Sequence, residues 1–293
     1  MSASDGVASQ VGRTVIITGA NSGLGRATTK ALAAAGARVV MAVRDAGRGA
    51  EAAADIPGLT EVRTLDLADL ASVRRFAAEW TEPVAVLINN AGVMNVPAGR
   101  TADGFETQFG TNHLGHFALT NLLLPQITDR VVTISSGLHR RGTIVLDDLN
   151  WERRPYRGWA AYGQSKLANL LFTLELQRRL TTDGSAVRAL AAHPGYAATN
   201  LQGRSGKPWS DRLARLGNVV FAQSEKMGAL PTVYAATRDL PGGSYVGPQG
   251  LAEMRGYPTL VGRSAAASDL AVAARLWQAS EELTGVGYPA SVG

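Results

Sequence analysis

Cysteine is absent from all 293 positions of the chain. That excludes a disulfide framework, a thiolate metal site and a thiol nucleophile. Long apolar runs are absent too: no uncharged stretch approaches the ~18 residues needed to span a bilayer. Histidine is sparse, confined to His113, His116, His139 and His193. No pair has zinc-ligand spacing beside a carboxylate partner, so no metal site is expected. The opening residues are small and polar and hold no signal-peptide core. These absences point to a soluble protein, expected in the cytoplasm without a membrane partner, with residues 1–12 as a flexible tail.

What is present suits a folded chain. Hydrophobic residues make up 45% and charged residues 18%, which excludes wholesale disorder. The formal net charge is +5, with one basic concentration at Arg140, Arg141, Arg153, Arg154 and Arg157. A nucleic-acid footprint calls for a continuous stripe or a binding motif. A solvated basic surface is therefore the expectation, and no nucleic-acid partner.

Residues 14–18 (TVIIT) form a β-branched run that ends in glycine and read as a buried strand. Helical character follows over 24–35 and stops at Gly36. The alternation continues with strands over 38–43, 61–65, 84–88, 131–134 and 187–192. Helices are expected over 46–54, 71–80, 105–125 and 160–180. Near-continuous apolar strands imply burial on both faces. Right-handed crossovers then predict an α/β fold of Rossmann type: one domain over 13–293, a doubly wound parallel sheet with helices on both faces. Beyond Pro194 the pattern weakens. A substrate flap is expected at about 200–225, where Trp209 and Phe221 suit an apolar ligand or an interface equally. Further helices are expected over 227–238 and 268–283, the second capped by Ser268 or Asp269 and ended by Gly285. Between them, 240–261 is rich in glycine and proline and no strand is assigned.

The turn between the first strand and first helix reads TGANSGLG over 18–25. Glycines there let the backbone approach a diphosphate, and the helix N-terminus offers free N–H groups and a positive dipole end. The contacts expected from this turn are Gly19, Asn21, Ser22, Gly23, Leu24 and Gly25; a plain tight turn is the alternative. In such folds the residue ending the second strand selects the cofactor. An acid would bind a ribose 2′-hydroxyl, but the strand ends Ala42-Val43-Arg44. The Arg44 guanidinium suits a 2′-phosphate, so NADP is favoured over NAD, with Arg48 in support. A solvated Arg44, or one neutralised by Asp45, is the competing reading. Asp66, beside Leu67, could accept from an adenine amino group or cap the next helix. Asn90, Ala91 and Gly92 allow close approach to the cofactor, while Asn89 suits a structural role.

Tyr162 and Lys166 stand four residues apart on one helical face. A free phenol, with pKa near ~10, is too weak an acid for efficient proton exchange at neutral pH. A cation about 4 Å away, at an effective dielectric of ~20, is worth ~4 kcal/mol. On that scale Lys166 would lower the phenol pKa by ~2–3. Any helix can contain YxxxK, so its neighbours matter. Ser135 and Ser136 close the fifth strand, Asn112 lies in the preceding helix, and Pro194 and Gly195 follow the sixth. All lie at the carboxyl ends of strands or on adjoining helices, where open α/β sheets bind ligands.

In this order, TGxxxGxG, NNAG, Asn112, Ser136, YxxxK and Pro194-Gly195 resemble the short-chain dehydrogenase/reductase family. The likeness runs from about residue 13 to 199. It implies Tyr162 as general acid/base, Ser136 as the group bonding the substrate oxygen, and Lys166 as ribose ligand and tuner of Tyr162. It implies that Asn112 holds a helix irregularity and a relay water, and that Thr199 meets the nicotinamide carboxamide, with Ser135 packed. The wide interval from Ser136 to Tyr162, with NHLGHF at 112–117 and SKLAN at 165–169, is similar to the retinol-dehydrogenase-like and protochlorophyllide-reductase-like branch. That branch tends to use NADP on bulky apolar carbonyls or alcohols.

The expectation is an NADP(H)-dependent oxidoreductase that interconverts a carbonyl and an alcohol on an apolar small molecule. The alternative is a non-catalytic, dinucleotide-sensing protein. Homo-oligomerisation stays open. His113 and His116 are expected to pack within their helix, and His139 to be a solvated loop residue or a substrate contact.

Overall fold

The computed structural model describes residues 7–195 and 224–290. Its strands are β1 (Thr14–Thr18), β2 (Arg38–Val43), β3 (Thr60–Thr64), β4 (Val84–Asn89), β5 (Ile127–Ile134), β6 (Arg188–Ala192), β7 (Tyr245–Pro248) and β8 (Pro258–Leu260). They form one sheet in the order β3-β2-β1-β4-β5-β6-β7-β8. All neighbours run parallel except β7 and β8, which are antiparallel. The alternation of side chains builds two cores. Ile16, Val40, Leu87 and Val131 face one layer, while Ile17, Met41, Ile88 and Val132 face the other. Both sets are fully buried, which is why the strands read as unbroken apolar runs.

The helices are α1 (Gly23–Ala34), α2 (Ala46–Ala54), α3 (Leu70–Ala78), α4 (Thr107–Phe109), α5 (Gly115–Leu123), α6 (Gly158–Thr182), α7 (Glu225–Thr237) and α8 (Leu270–Thr284). Asp45, Asp69 and Asp269 cap α2, α3 and α8 by accepting backbone N–H bonds. Gly36 (φ 96) and Gly285 (φ 60) take the left-handed conformation just past α1 and α8. Helix α8 lies on α6, with Trp277 stacked on Phe172 at 5.6 Å and edge-on to Phe117 at 4.8 Å. From β1 the chain winds outward through β2 and β3, then returns to β4 on the other side of β1. That reversal opens a crevice at the carboxyl ends of β1 and β4.

Three features depart from what periodicity and composition predict, the first of them at the Asn112 irregularity that the family resemblance implies. The helix expected over 105–125 is interrupted by a π turn at Gly110–Leu114, between α4 and α5. Here Asn112 hydrogen-bonds the backbone of Val93, and Gly115 lies so close to Leu67 that a Cβ would stand 2.4 Å from its carbonyl. Within 240–261 lie the unassigned β7 and β8. Gly247 leaves room for the His193 ring, which a Cβ would meet at 2.1 Å, and β8 is a three-residue edge; neither has a readable apolar alternation. In the expected flexible tail, Gln10 is buried and its N–H donates to the Ala35 carbonyl at 2.8 Å, so that part is anchored. The flap at about 200–225, with Trp209 and Phe221, lies outside the described residues except for Ser224, which caps α7, and Glu225 in that helix.

Candidate active site

The carboxyl ends of β1 to β6, with the segment 252–254 that follows β7, surround one cavity of about 1270 Å³. Every expected cofactor contact among the described residues lines it: the glycine turn, Arg44, Asp66, Leu67, Asn90 to Gly92, Tyr162, Lys166, Pro194 and Gly195. Thr199 lies outside the described residues.

The glycine turn is a built cradle. Gly19 and Gly23 have φ of 65° and 52°, where a side chain would be strained. A Cβ on Gly25 would stand 2.3 Å from the Gly19 carbonyl and 2.6 Å from Asn90 Nδ2. Ser22, at the N-cap of α1, makes no side-chain cap bond, so the helix end keeps donors for an anion. Thr18 ties the turn to β4: its hydroxyl accepts the N–H groups of Asn90 and Ala91, both at 2.9 Å. Asn90 Nδ2 donates back to the Thr18 carbonyl at 2.7 Å. These residues fit a dinucleotide diphosphate.

Arg44 stands exposed at the end of β2. Asp45 does not neutralise it. That carboxylate caps α2 and lies 3.6 Å from Arg48 Nε, so among the described residues Arg44 has no carboxylate partner. Asp66 lines the cavity and accepts the Ala68 N–H at 2.9 Å, while the cap of α3 is Asp69. Asn89 is structural, donating to Thr120 at 2.8 Å.

Ser136, Tyr162 and Lys166 converge on the same cavity. The Ser136 hydroxyl bonds the Tyr162 phenol and accepts the Leu138 N–H at 3.2 Å. Lys166 follows one turn later in α6. Its Nζ donates to the Ile134 carbonyl at 3.0 Å and lies 5.6 Å from the Tyr162 ring centre. The expected acidification of Tyr162 by this cation is corrected here. Burial pushes the phenol up to about 12, opposed by the Ser136 bond, and burial pushes Lys166 down to about 8. Desolvation of both groups outweighs their mutual attraction, since Nζ is directed at a backbone carbonyl.

Asn112 sits behind the cavity wall. Its Oδ1 accepts the Val93 N–H at 2.8 Å, and its Nδ2 donates to the Val93 carbonyl and to Ser165 Oγ, both at 2.9 Å. It thus holds the helix irregularity, as expected, with both polar groups of its side chain engaged by protein. Ser135 is packed, donating to the Lys166 carbonyl at 2.9 Å.

The histidines are all buried. His113 stacks on Phe109 and bonds Ser280; burial lowers its pKa to about 3. His116 is lowered to about 4. It therefore carries one proton, on Nδ1 for the Asn112 carbonyl, and accepts the Thr18 hydroxyl at Nε2, 2.8 Å away. His139 is neither solvated nor in the cavity lining: Nδ1 donates to the Ser136 carbonyl at 2.7 Å and Nε2 accepts from Ser264 at 3.3 Å. In the arginine concentration, Arg154 stacks on Trp151 and pairs with Asp148, and Arg140 pairs with Glu253.

Sequence reasoning missed part of the wall. Val93, Met94, Val96, Leu138, Trp159 and Met254 add apolar surface to the cavity, with Trp159 edge-on to Tyr162, and Arg141, Ala252 and Glu253 also line it. The strap at 252–254 carried no motif; only the placement of β7 brings it here. Among the described residues, no three His, Asp or Glu side chains group as a metal site, and no helix is long and apolar enough to cross a membrane.

A doubly wound sheet with a phosphate cradle at its switch point and a Ser–Tyr–Lys cluster beside it defines a class of dinucleotide-binding oxidoreductase folds. Within that class the chain belongs to the short-chain dehydrogenase family, whose model matches residues 13–209. It falls in the retinol-dehydrogenase-like branch. It is 44% identical over 296 residues to human (Homo sapiens) retinol dehydrogenase 13, covering 95% of this chain and 86% of that protein. It is 41% identical over 299 residues to mouse (Mus musculus) polyprenol dehydrogenase, covering 95% and 85%. A crystal structure from Mycobacterium paratuberculosis superposes with a TM-score of 0.86 at 55% identity, covering 98% of each chain.

Proposed function

We propose that the chain is an NADP(H)-dependent oxidoreductase that interconverts a carbonyl and an alcohol on an apolar small molecule. The observation that carries this reading is a single cavity holding Arg44, which has no carboxylate partner among the described residues, the glycine cradle and the Ser136–Tyr162–Lys166 cluster. When bound, the nicotinamide coenzyme supplies or takes up the hydride.

The chain's own residues do the rest. Arg44 offers a charged fork to a 2′-phosphate. The N-terminus of α1 and the cradle hold the diphosphate. Ser136 bonds the substrate oxygen, and Tyr162, protonated at neutral pH with its pKa near 12, donates the proton that turns a reduced carbonyl into an alcohol. In the reverse direction the base is the Tyr162 phenolate, which takes the alcohol's proton and becomes the phenol, and the Lys166 ammonium, charged below about pH 8, favours that phenolate. The apolar side chains of the wall, Met94, Val96, Leu138, Trp159 and Met254, suit a hydrocarbon body. The relatives named as retinol and polyprenol dehydrogenases support such a substrate.

The test is Tyr162→Phe, assayed against a panel of apolar aldehydes and ketones with NADPH. Turnover should fall at least ~10²-fold, the scale of a lost proton donor, while NADPH affinity changes little. Undiminished turnover in that variant removes Tyr162 from the mechanism.

A further inference from the structure

The strap after β7 forms cavity wall that neither the glycine cradle nor the Ser–Tyr–Lys cluster explains. Ala252 (φ 52) and Glu253 (φ 56) both take left-handed backbone conformations. Non-glycine residues hold these only where the surroundings over-determine them. Here the surroundings do so. The Glu253 N–H donates to the Gly250 carbonyl at 2.9 Å, and the Gly250 N–H donates to the Arg255 carbonyl at 3.0 Å. The strap lies on the turn after β6: a Cβ on Gly195 would stand 2.4 Å from the Met254 carbonyl.

This backbone directs the Glu253 carboxylate two ways. One oxygen accepts from Arg140 Nη2 at 3.0 Å; the other lies 3.0 Å from His193 Nε2. His193 is 1% exposed, and its Nδ1 accepts the Gly195 N–H at 3.2 Å. With Nδ1 engaged as acceptor, the single ring proton sits on Nε2 and is donated to Glu253. Burial keeps the ring neutral by lowering its pKa to about 4. Glu253 therefore links three segments at the carboxyl edge: the loop opened by Ser136, the turn after β6, and the strap itself. The Arg140 arm is open to solvent, with 46% of its side chain exposed, and such pairs contribute little. The His193 arm is buried and carries the effect.

We propose that Glu253 is a positioning residue, which through His193 fixes the Gly195 turn and so the grip on the end of the dinucleotide remote from Arg44. The proposal rests on the dinucleotide reading above. Sheet order separates the two ends: β2 and β6 are four strand steps apart, about 19 Å at ~4.8 Å per step. A ligand held at both must span that edge, and a fragment held at Arg44 alone does not reach Gly195.

Two readouts test this on the full chain. The first needs no ligand: amide hydrogen exchange at Gly195, followed by NMR. Glu253→Ala should exchange about tenfold faster there, the scale of one lost hydrogen bond, whereas Glu253→Gln, which keeps an acceptor for His193, and Arg140→Ala should stay near the parent rate. An unchanged Gly195 rate in Glu253→Ala overturns the proposal, whatever becomes of the dinucleotide reading. Glu253→Met, of similar bulk and with no carboxylate acceptor, makes the same prediction should the alanine variant not fold. The second readout is binding. Glu253→Ala should weaken NADPH about tenfold and leave adenosine 2′,5′-bisphosphate unchanged, and adding it to His193→Ala should cost nothing further. Equal loss of both ligands, or additive losses in the double variant, rejects a role through His193. Failure of the parent to bind either ligand instead rejects the dinucleotide reading, and the exchange result still decides the link between Glu253 and Gly195.

Discussion

Lys166 illustrates a functional group held against the interest of the fold. It is 4% exposed, and burial alone lowers its pKa from 10.5 to about 8. At ~1.4 kcal/mol per pH unit, holding the ammonium in this site costs about 3 kcal/mol at pH 7. Replacing it by methionine removes that cost and forfeits the Nζ bond to Ile134, worth about 1–2 kcal/mol. The Ile134 carbonyl is not orphaned, because Asn169 Nδ2 also donates to it at 3.0 Å. Lys166→Met should therefore be more stable than the parent by about 1–2 kcal/mol at pH 7 in urea unfolding, or ~2–8 °C in melting temperature. The pH dependence sharpens the test. Between about pH 8 and 10.5 the unfolded chain binds more protons at Lys166 than the folded one, so parent stability rises with pH across that window. The penalty falls to about 1 kcal/mol by pH 9.5. The variant's advantage should shrink by about 2 kcal/mol between pH 7 and pH 9.5, and its turnover should be lost at both. A variant less stable than the parent at pH 7, or a difference independent of pH, would refute the buried-charge argument.

Other residues give sharper single readings. Arg44→Ala should weaken NADPH ~10- to 100-fold, the worth of charge-assisted hydrogen bonds, and leave NADH within about twofold in parallel titrations. Gly25→Ala places a Cβ 2.3 Å from the Gly19 carbonyl. The turn must open, at a cost of ~1–3 kcal/mol, and dinucleotide titration should show at least a tenfold loss. Asn112→Ala strands the N–H and carbonyl of Val93. It should cost about 2–4 kcal/mol in denaturant unfolding.

The strand–helix alternation was legible because each central strand is buried on two faces and so reads as an apolar run. Strand β2 falls at 38–43 as expected, and the glycine turn follows β1 as its composition requires. The candidate site residues that meet in the cavity were legible as well, since YxxxK on a helix and paired serines at a strand end are local patterns. The π turn was legible only through the family resemblance at Asn112 and not from helical periodicity: its cause is Asn112 bonding Val93, 19 residues earlier in sequence. Strands β7 and β8 were hidden because Gly247 and Pro248 serve neighbours, not an alternating face. The ionisation of Tyr162 was misread for a related reason. Spacing places Lys166 near the phenol, but how far each is removed from water depends on every element packed around them.

Local sequence alone determined the doubly wound plan, the cradle and the candidate side chains of the site, because backbone preference and periodicity act over a few residues. The tertiary structure alone decided which charges are buried, which histidine tautomers are held, and that Glu253 meets His193 across 60 residues. Those outcomes depend on desolvation and on contacts between distant segments, and neither is written in any one stretch of the chain.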